Sequence, residues 1–586
     1  MKKKIKRLIA WMCLAAMLLS STTAFAYKAG TYEATADGFG GAMSVSVTFN
    51  EDTISEIKVG DHNETHGIGT IAIDILPAQI VENQSLAVDT VAGATLSSEA
   101  ILAAVADCVI QAGGDVEALK NKAIEVALSD EIIQLSTEVL VIGGGGCGLS
   151  AALEAAKQGA KVILLEKLAL TGGSTALSAG VIVKNGMGEE GYNVDFTLDD
   201  LANYWKTVSG GKANEALSDK IASLSEETYD LLVDMGVTFT RTPSTVPTNP
   251  ELAMYNAAED PMMVSGNGIK LTGPMYDAVI AAGVDVHLST PAKELVLDEN
   301  GTVVGAKAVK SDGTTLDIKA QKVIIATGSF DQQDNEVKKM FMPNLLGMVS
   351  VSSVGNTGDG ILMAVNAVNA ATQFVAPACK GYVQTDTGKG LAGLPAKNAL
   401  IINQKGERFV NESDFYANVL YAFVGSNTTY GYQIFDAHTV SGMAKMDEYV
   451  AAGGAYKADS LEELAKLINV PAETLNATIE RYNELAGQTD ADFNKSAEFM
   501  QGMKDAPFYA IGTVPCLNGS IGGLLINEKA QVLDVNGQPI KNLFAGGDVA
   551  STSLFYNKYP SSGSGVQFAL ASGRLAARSA VAELEK

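Results

Sequence analysis

A glycine-rich turn between a strand and a helix constrains the fold of this chain more than any other feature. Residues 137–167 read TEVLVIGGGGCGLSAALEAAKQGAKVILLEK, with Gly143, Gly145 and Gly148 in the spacing GxGxxG. The pattern predicts a strand, a tight turn, a helix and a second strand, which is how a doubly wound α/β sheet begins. The first glycine allows the turn, the second lets a backbone approach a pyrophosphate, and the third lets the helix pack on the strand.

A carboxylate follows where a dinucleotide site requires one. Glu166 lies 23 residues after Gly143, at the end of the second predicted strand. A carboxylate there binds the ribose hydroxyls of an adenosine, while the unpaired N–H groups of the helix N-terminus face the phosphates. The sequence therefore predicts a dinucleotide site, although this fingerprint alone does not separate FAD from NAD.

The N-terminus predicts export. A basic run, KKKIKR, precedes the apolar run LIAWMCLAAMLL, and Ala24 and Ala26 form the small-x-small pattern of a cleavage site. We expect a signal peptide over residues 1–26 and a mature chain at the cell surface, outside the cell or in the periplasm; the alternative is a retained anchor. No later stretch approaches the roughly 20 apolar residues of a membrane span, so we expect no stable membrane insertion after cleavage.

Charge and cysteine content exclude other classes of protein. The net charge of −25 argues against nucleic-acid binding, which needs cationic patches. Cys108, Cys147, Cys379 and Cys516 follow the signal segment, and their spacing matches neither a haem attachment motif nor an iron–sulfur or zinc site. We expect buried thiols and no metal.

The spacing of apolar residues changes along the mature chain and divides it into several domains, as a length of 586 residues leads us to expect. Within residues 27–115, apolar and polar residues alternate in MSVSVTFN and ISEIKVG, which predicts two strands. Two helices are predicted after them, IAIDILPAQIVENQ and EAILAAVADCVIQAG, and the predicted N-cap of the second is Ser97 or Ser98. A charged linker, residues 116–136, follows. The α/β pattern occupies residues 137–365 and 518–586, and a mixed α+β insertion occupies residues 366–517.

Four further motifs come in order after the glycine turn: TGGST (Thr171–Thr175), IIATGSF (Ile324–Phe330), GNTGDG (Gly355–Gly360) and AGGDVA (Ala545–Ala550). With them, residues 137–586 resemble the flavoprotein family of fumarate reductases, urocanate reductase and ketosteroid dehydrogenases. The resemblance implies a Rossmann-like domain with non-covalent FAD and an inserted α+β cap that closes substrate over the flavin. The FAD contacts it implies are Gly143, Gly145, Cys147, Gly148, Glu166, Gly173, Ser174, Thr175, Gly180, Thr327, Gly328, Asp359, Asp548, Ser564 and Val566.

The small first domain carries a second motif. Asp89–Ser98 read DTVAGATLSS, and His62–Gly69 read HNETHGIG. Residues 27–115 resemble the FMN-binding domains of respiratory flavoproteins, in which a flavin transferase joins FMN phosphate to the threonine of this motif. The resemblance implies covalent FMN at Thr95, whereas the simpler interpretation is a turn leading into a helix.

The substrate motifs depart from those of fumarate reductases. Where that family has a catalytic arginine, a substrate histidine and a second arginine, this chain has Tyr416 in GERFVNESDFYANV, Asn518 in NGSIGG, and Lys558 and Tyr559 in NKYPSSGSG. A dicarboxylate needs paired cations, which are missing here. The motifs resemble instead the ketosteroid dehydrogenase branch. That resemblance implies Tyr416 as proton donor and Tyr559, with the backbone near Gly563, as the group that polarises a carbonyl.

We therefore predict an exported two-flavin oxidoreductase. It reduces the C=C bond of an α,β-unsaturated carbonyl compound, either an enone such as a 3-ketosteroid or an aryl-acrylate such as urocanate or cinnamate. Electrons enter through covalent FMN from an external donor of the respiratory chain and leave as a hydride from FAD. Alternatives are a fumarate-type dicarboxylate reductase, the reverse dehydrogenase, and an electron-transfer protein without an organic substrate. Tyr416 as a packed cap residue and Lys558 as a surface cation are the alternatives for the catalytic assignments.

Overall fold

Two compact units, Met1–Leu128 and Ser129–Lys586, make up the chain. The computed structural model describes residues 27–64, 69–91, 93–124, 128–184, 197–242, 253–257, 268–383, 397–414, 416–426, 428, 430–442, 446–451 and 453–585. The predicted signal segment, residues 1–26, lies outside the described residues. Within the described ranges, no helix combines the length and the apolar character needed to cross a membrane.

The first unit is a three-stranded antiparallel sheet covered by helices. Its strands are β1 (Gly30–Gly38), β2 (Gly41–Phe49) and β3 (Ile54–Val59), in the order β1-β2-β3, and its helices are α1 (Gly69–Asn83), α2 (Thr95–Gln111) and α3 (Val116–Lys120). Buried and more exposed residues alternate along β2, so that one face of the sheet is buried. Helix α2 packs against β1 and β2. The residues that β2 contributes to the core are Met43, Val45, Val47 and Phe49.

Two expectations for this unit differ from the structure. The prediction of Ser97 or Ser98 as N-cap is wrong, because α2 begins at Thr95 with Ala94 as its N-cap. The two serine hydroxyls are used elsewhere: that of Ser98 donates to the Ala94 carbonyl (2.8 Å) and that of Ser97 to the Glu64 carboxylate. The expected linker 116–136 is structured at both ends, since α3 lies within it and the first strand of the second unit begins at residue 132.

The second unit contains the remaining strands and helices. Its strands are β4 (Ile132–Ile142), β5 (Val162–Leu165), β6 (Val181–Lys184), β7 (Phe239–Thr242), β8 (Ala253–Ala257), β9 (Asp285–His287), β10 (Ala292–Leu297), β11 (Val303–Val309), β12 (Thr315–Ile325), β13 (Val349–Ser350), β14 (Thr372–Val383), β15 (Leu400–Asn403), β16 (Gly431–Phe435), β17 (Tyr456–Ala458), β18 (Phe508–Leu524), β19 (Gln531–Leu533) and β20 (Pro539–Ala545). Its helices are α4 (Gly146–Lys157), α5 (Gly173–Leu177), α6 (Leu198–Val208), α7 (Glu215–Ser223), α8 (Ser225–Asp234), α9 (Ile269–Ala281), α10 (Glu336–Phe341), α11 (Asp359–Val368), α12 (Tyr416–Gly425), α13 (Met446–Ala451), α14 (Leu461–Leu467), α15 (Ala472–Glu484), α16 (Thr552–Phe555) and α17 (Ser564–Ala582).

The main sheet has the order β10-β11-β12-β4-β5-β9, with β20 beside β12 and β19 beside β20. The pairs β12–β4, β4–β5, β5–β9 and β12–β20 are parallel. Strand β4 is buried at its C-terminal half, as expected of a central strand covered on both faces. Helices α4 and α17 pack against each other, and the glycine turn lies at the carboxyl end of β4.

The insertion forms a second sheet, in the order β13-β18-β16-β15, and β14 and β17 also pair with β18. Strand β18 joins two cores: Leu517, Ile521 and Leu524 belong to the main core, whereas Phe508 and Ala510 belong to the core of the insertion. The strand therefore runs across the expected domain boundary at residue 517. A small third sheet has the order β6-β8-β7.

Candidate active site

A cleft of about 800 Å³ opens at the carboxyl ends of β4, β5 and β12. This is where ligands bind in open α/β sheets. Its lining includes residues from all five ordered motifs. The sequence-predicted residues that line it are Gly143, Gly145, Cys147, Glu166, Gly173, Ser174, Thr175, Thr327, Gly328, Asp359 and Asp548.

The glycines of the turn shape this cleft. Gly143 has φ +109°, and a Cβ there would lie 2.3 Å from the Ala326 carbonyl oxygen. Gly148 does not line the cleft, because it faces Gly143, whose carbonyl oxygen would lie 1.7 Å from a Cβ. Around Gly145 a Cβ would meet nothing closer than 4.0 Å. The wall is thus open at Gly145 and the helix packs tightly at Gly148, which fits a backbone cradle for a pyrophosphate.

Glu166 is buried at the end of β5. Its carboxylate accepts the N–H groups of Gly144 and Leu168, both at 2.7 Å. Burial raises the pKa of Glu166, and the two backbone donors oppose this by stabilising the charged form. Each oxygen keeps a lone pair for a ligand hydroxyl. Thr327 adds a buried hydroxyl that has no hydrogen-bond partner among the described residues. The open cradle, the carboxylate and this unpartnered hydroxyl together fit an adenosine dinucleotide.

Sequence reasoning missed several residues of the cleft wall. Lys167 donates to Asp359 (2.6 Å) and to Thr357 (2.6 Å), so that it neutralises the acid of the GNTGDG motif. Asn356, from the same motif, donates to the Ser174 hydroxyl at 3.0 Å. The motif was a usable signal for Asn356. Lys167 follows Glu166 directly, but a single lysine after a strand gives no distinctive pattern.

A second cavity of about 890 Å³ continues from the first. The two share Ser174, Thr175, Asp548 and Ala569. Among the described residues, its lining contains no lysine, arginine or histidine. The residues that line only this cavity include Asn518, Gly519, Ser520, Phe555, Tyr559, Gly563, Gly565 and Val566.

Tyr559 is the phenol of this cavity. The Gly565 N–H donates to its hydroxyl oxygen at 2.9 Å, and burial raises its pKa, so the hydroxyl stays protonated. Because its oxygen already accepts a hydrogen bond, its proton is available for a ligand oxygen. Tyr204 of α6 holds the same loop by donating to the Pro560 carbonyl at 2.6 Å.

Four predicted residues do not line either cavity. Lys558 is exposed and absent from both walls, which favours the alternative that it is a surface cation, whereas the neighbouring Tyr559 lines the second cavity. Gly180 and Ser564 are buried but are not among the lining residues, and Gly148 packs against Gly143. Tyr416 is the first residue of α12, but its side chain lies outside the described part of the chain.

A buried aspartate that sequence reasoning missed connects the two cavities. Asp331 accepts the Ser352 hydroxyl (2.6 Å), the Gly519 N–H (3.1 Å) and the Asn356 amide (3.3 Å). Asn356 lines the first cavity and Gly519 the second.

Asp548 lies where the two cavities meet. Burial, with a smaller contribution from the charge of Asp331, raises the pKa of Asp548 to about 7.

The insertion contains a buried ion network. Arg408 binds Glu412 through two hydrogen bonds of 2.8 Å and Asp490 at 2.8 Å, and Lys495 binds Glu412 at 3.2 Å. Two cations thus face two carboxylates. Because Arg408 is fully engaged, it is not available to bind a substrate carboxylate.

The first unit presents Thr95 at the first position of the 17-residue helix α2. The side chain is exposed, and no side-chain cap occupies the helix N-terminus. Free N–H groups and the helix dipole stabilise a phosphate at this position. An exposed hydroxyl at an uncapped N-terminus therefore fits an attached flavin phosphate.

Comparison with known proteins identifies the family. A model described as FAD binding domain matches residues 138–566, and one described as FMN-binding domain matches residues 38–110. The chain belongs to the FAD-binding family of fumarate and urocanate reductases. It is an FAD-dependent oxidoreductase with an N-terminal FMN-binding domain, and the predicted family and fold class are confirmed.

The relatives of this chain carry the names of different substrates. Urocanate reductase of Eggerthella lenta is 32% identical over 92% of this chain and 91% of its own. NADH:acrylate oxidoreductase of Vibrio harveyi is 31% identical over 89% of this chain and 58% of its own, so this chain spans little more than half of that protein. The structure of a 3-ketosteroid-Δ4-(5α)-dehydrogenase from Rhodococcus jostii with 4-androstene-3,17-dione has a TM-score of 0.62, with 25% identity, and covers 76% of this chain and 97% of its own.

Proposed function

We propose that this protein is an exported two-flavin reductase of the C=C bond of an α,β-unsaturated carbonyl compound, an enone or an aryl-acrylate. One observation carries the proposal. The protonated hydroxyl of Tyr559 lines a cavity that continues from the dinucleotide cleft and to which the described part of the chain contributes no lysine, arginine or histidine. The relatives named for urocanate and acrylate support the same bond type.

The chain's own residues divide the work of this reaction. FAD, when bound, supplies a hydride to the β-carbon of the substrate. Tyr559 donates a hydrogen bond to the carbonyl oxygen and so stabilises the enolate-like charge that develops there. The Gly565 N–H strengthens that bond by donating to the same hydroxyl. Tyr416, at the start of α12, gives the proton that the α-carbon gains. One hydride and one proton complete the saturation.

The charge of the second cavity favours this class over a dicarboxylate. A dicarboxylate in a site without cations leaves two desolvated negative charges unpaired. Among the described residues the cavity has no cation, and Arg408 is bound to Glu412 and Asp490. The carbonyl of an enone is neutral and needs one hydrogen-bond donor, which Tyr559 provides, and an aryl-acrylate brings one carboxylate where a dicarboxylate brings two.

The first unit receives electrons in this proposal. A flavin transferase joins the phosphorus of an activated flavin phosphate to the Thr95 oxygen, which loses its proton as the leaving group departs. FMN, when bound, accepts electrons from an external donor. A covalent bond keeps the flavin with an exported chain, where free FMN is scarce, and holds it at high effective concentration.

An anaerobic substrate screen tests the proposed reaction. Oxidation of reduced viologen is followed with urocanate, cinnamate, a 3-keto-4-ene steroid, fumarate and saturated ketones as acceptors. We expect turnover with an unsaturated carbonyl compound and none with saturated ketones. Removing a charge-stabilising hydrogen bond costs about 100-fold or more in kcat, and we expect this loss in Tyr559→Phe.

Lys558→Ala is the matched control, because its side chain is adjacent in sequence but exposed. It should retain wild-type turnover. Fast reduction of fumarate would contradict the argument from charge. Reaction with redox proteins alone would identify an electron-transfer protein instead.

A further inference from the structure

The tip of the β1–β2 hairpin is held beside the start of α2. Gly38 pairs with Gly41, which leaves Phe39 and Gly40 as a two-residue turn. The buried carboxylate of Glu64 accepts the Gly40 N–H at 2.9 Å with one oxygen and the Ser97 hydroxyl with the other. One side chain thus ties the hairpin turn to the first helical turn of α2.

This arrangement is tightly determined. A Cβ on Gly40 would lie 2.0 Å from the Asn63 carbonyl oxygen, and one on Gly38 would lie 2.2 Å from a Glu64 oxygen. A Cβ on Gly69 would contact the other Glu64 oxygen at 2.6 Å. Gly40 must therefore be glycine, and a side chain at Gly38 or Gly69 would displace the Glu64 carboxylate from its contacts.

Two large apolar side chains are exposed close to these contacts in the chain. Phe39, at the hairpin tip, is 45% exposed, and Leu96, next to Thr95, is 55% exposed. Thr95 and Ser97 are separated by about 3 Å along the helix axis. The Glu64 contacts therefore place the Phe39–Gly40 peptide within the span of one carboxylate of Ser97, two residues after Thr95. Covering the apolar surface of Phe39 and Leu96 with a flat aromatic ring would remove it from water, which is favourable.

We propose that Phe39 and Leu96 form the seat on which the isoalloxazine ring of the Thr95-linked FMN rests. The proposal rests on the proposed attachment of FMN at Thr95. The phosphate lies at the uncapped N-terminus of α2, and the apolar dimethylbenzene edge of the ring covers the two side chains. Glu64 is a positioning residue that holds the seat together through Gly40 and Ser97.

Quenching of flavin fluorescence tests the seat in the full chain made together with a flavin transferase. The variants are Phe39→Ser, Leu96→Ser and the double variant, all at exposed positions where substitution leaves folding nearly unchanged. Ile110→Ser is the matched control, because Ile110 is 62% exposed near the other end of α2. Mass spectrometry of each variant gives the FMN content, and iodide quenching gives the exposure of the ring.

We expect equal FMN content in all variants. The iodide quenching constant should rise about twofold or more in the double variant, with smaller rises in the single variants, as an uncovered ring would require. Ile110→Ser should match wild type. An unchanged quenching constant in the double variant, with FMN attached, would overturn the seat and leave the attachment intact. Absence of covalent FMN from wild type would overturn the attachment itself.

Discussion

At the scale of single residues, the clearest electrostatic feature is Asp548 at the junction of the two cavities. Burial raises its pKa from an ordinary 3.8 to about 7 in the folded protein. Between these values the folded state binds a proton that the unfolded state has lost. The protonated carboxyl of Asp548 therefore contributes fully to the free energy of unfolding below about pH 4. This contribution is lost as the pH rises through 7.

Asp548→Asn should remove this dependence, because the amide is neutral at every pH. In the flavin-free state, wild type should lose about 1.4 kcal/mol of its free energy of unfolding for each pH unit between pH 5 and 7, whereas the variant should not. The difference in free energy of unfolding between variant and wild type should therefore grow by that amount. Urea unfolding at the two pH values measures the gain. Asp230→Asn, at an exposed position of the same unit, should show no such gain. A constant difference between Asp548→Asn and wild type at both pH values would contradict the assignment.

Glu166 carries a second prediction at this scale. Its carboxylate orders Gly144 and Leu168 and presents its remaining lone pairs to the cleft. Hydrogen bonds to a charged group contribute about 1.5–3 kcal/mol each, so Glu166→Ala should weaken FAD binding by about 10- to 100-fold. Fluorescence titration of the flavin-free protein measures the affinity. Glu138→Ala, before the same glycine turn but outside the cleft, is the control. Equal affinity in Glu166→Ala and wild type would remove Glu166 from the site.

Sequence could predict residues that belong to short motifs, and it failed where a contact joins distant segments. Gly143, Gly145, Glu166 and Asp359 line the cleft because their spacing is dictated by a local turn or helix start. Asp331 was not foreseen, because its partners Ser352, Asn356 and Gly519 come from two separate stretches of chain. Sequence could not separate Lys558, which is exposed, from Tyr559, which lines the second cavity, because two adjacent residues of an irregular loop can point in opposite directions.

At the scale of elements, the insertion depends on its buried ions. Removing one partner of a buried ion network leaves uncompensated charge and costs about 3–5 kcal/mol. Glu412 is the centre of the network, since it binds both Arg408 and Lys495. It also lies four residues before Tyr416 and accepts the Ile401 N–H of β15 at 3.0 Å.

Glu412→Ala should therefore destabilise the insertion first. We expect faster proteolysis between residues 397 and 507 than in the rest of the second unit, and a lower Tm. Glu407→Ala, whose side chain is exposed, should behave as wild type. Equal proteolysis rates in Glu412→Ala and wild type would show that the network does not hold the insertion.

Element prediction succeeded where periodicity was strong. The alternation in β2 and the strand–turn–helix of β4 and α4 follow directly from spacing. The start of α2 did not, because Ser97 and Ser98 make other bonds rather than a cap. The limits of β18 could not be read from sequence either, since this strand is buried along almost its whole length and shows no change at the domain boundary.

At the scale of the whole molecule, the proposed function gives the two units separate roles, which one substitution can test. Thr95→Ala should abolish a covalent fluorescent band on a denaturing gel and should abolish activity with a protein electron donor. Activity driven by dithionite should remain, because the second unit holds the FAD cleft and Tyr559 within its own fold. Thr90→Ala, at the nearby exposed threonine, is the control. A fluorescent band in Thr95→Ala would place the attachment elsewhere.

Analysis of the product made in D₂O tests the central claim most directly. Dithionite-reduced protein is mixed anaerobically with the best unsaturated carbonyl substrate of the screen, and the product is examined by NMR and mass spectrometry. We predict a saturated carbonyl compound with solvent deuterium at both the α- and the β-carbon, because the N–H hydrogen of a reduced flavin exchanges with solvent, and we expect it to form about 100-fold more slowly in Tyr559→Phe. A flavin that is reoxidised without any saturated product, or a product formed equally fast by Tyr559→Phe, would contradict this prediction.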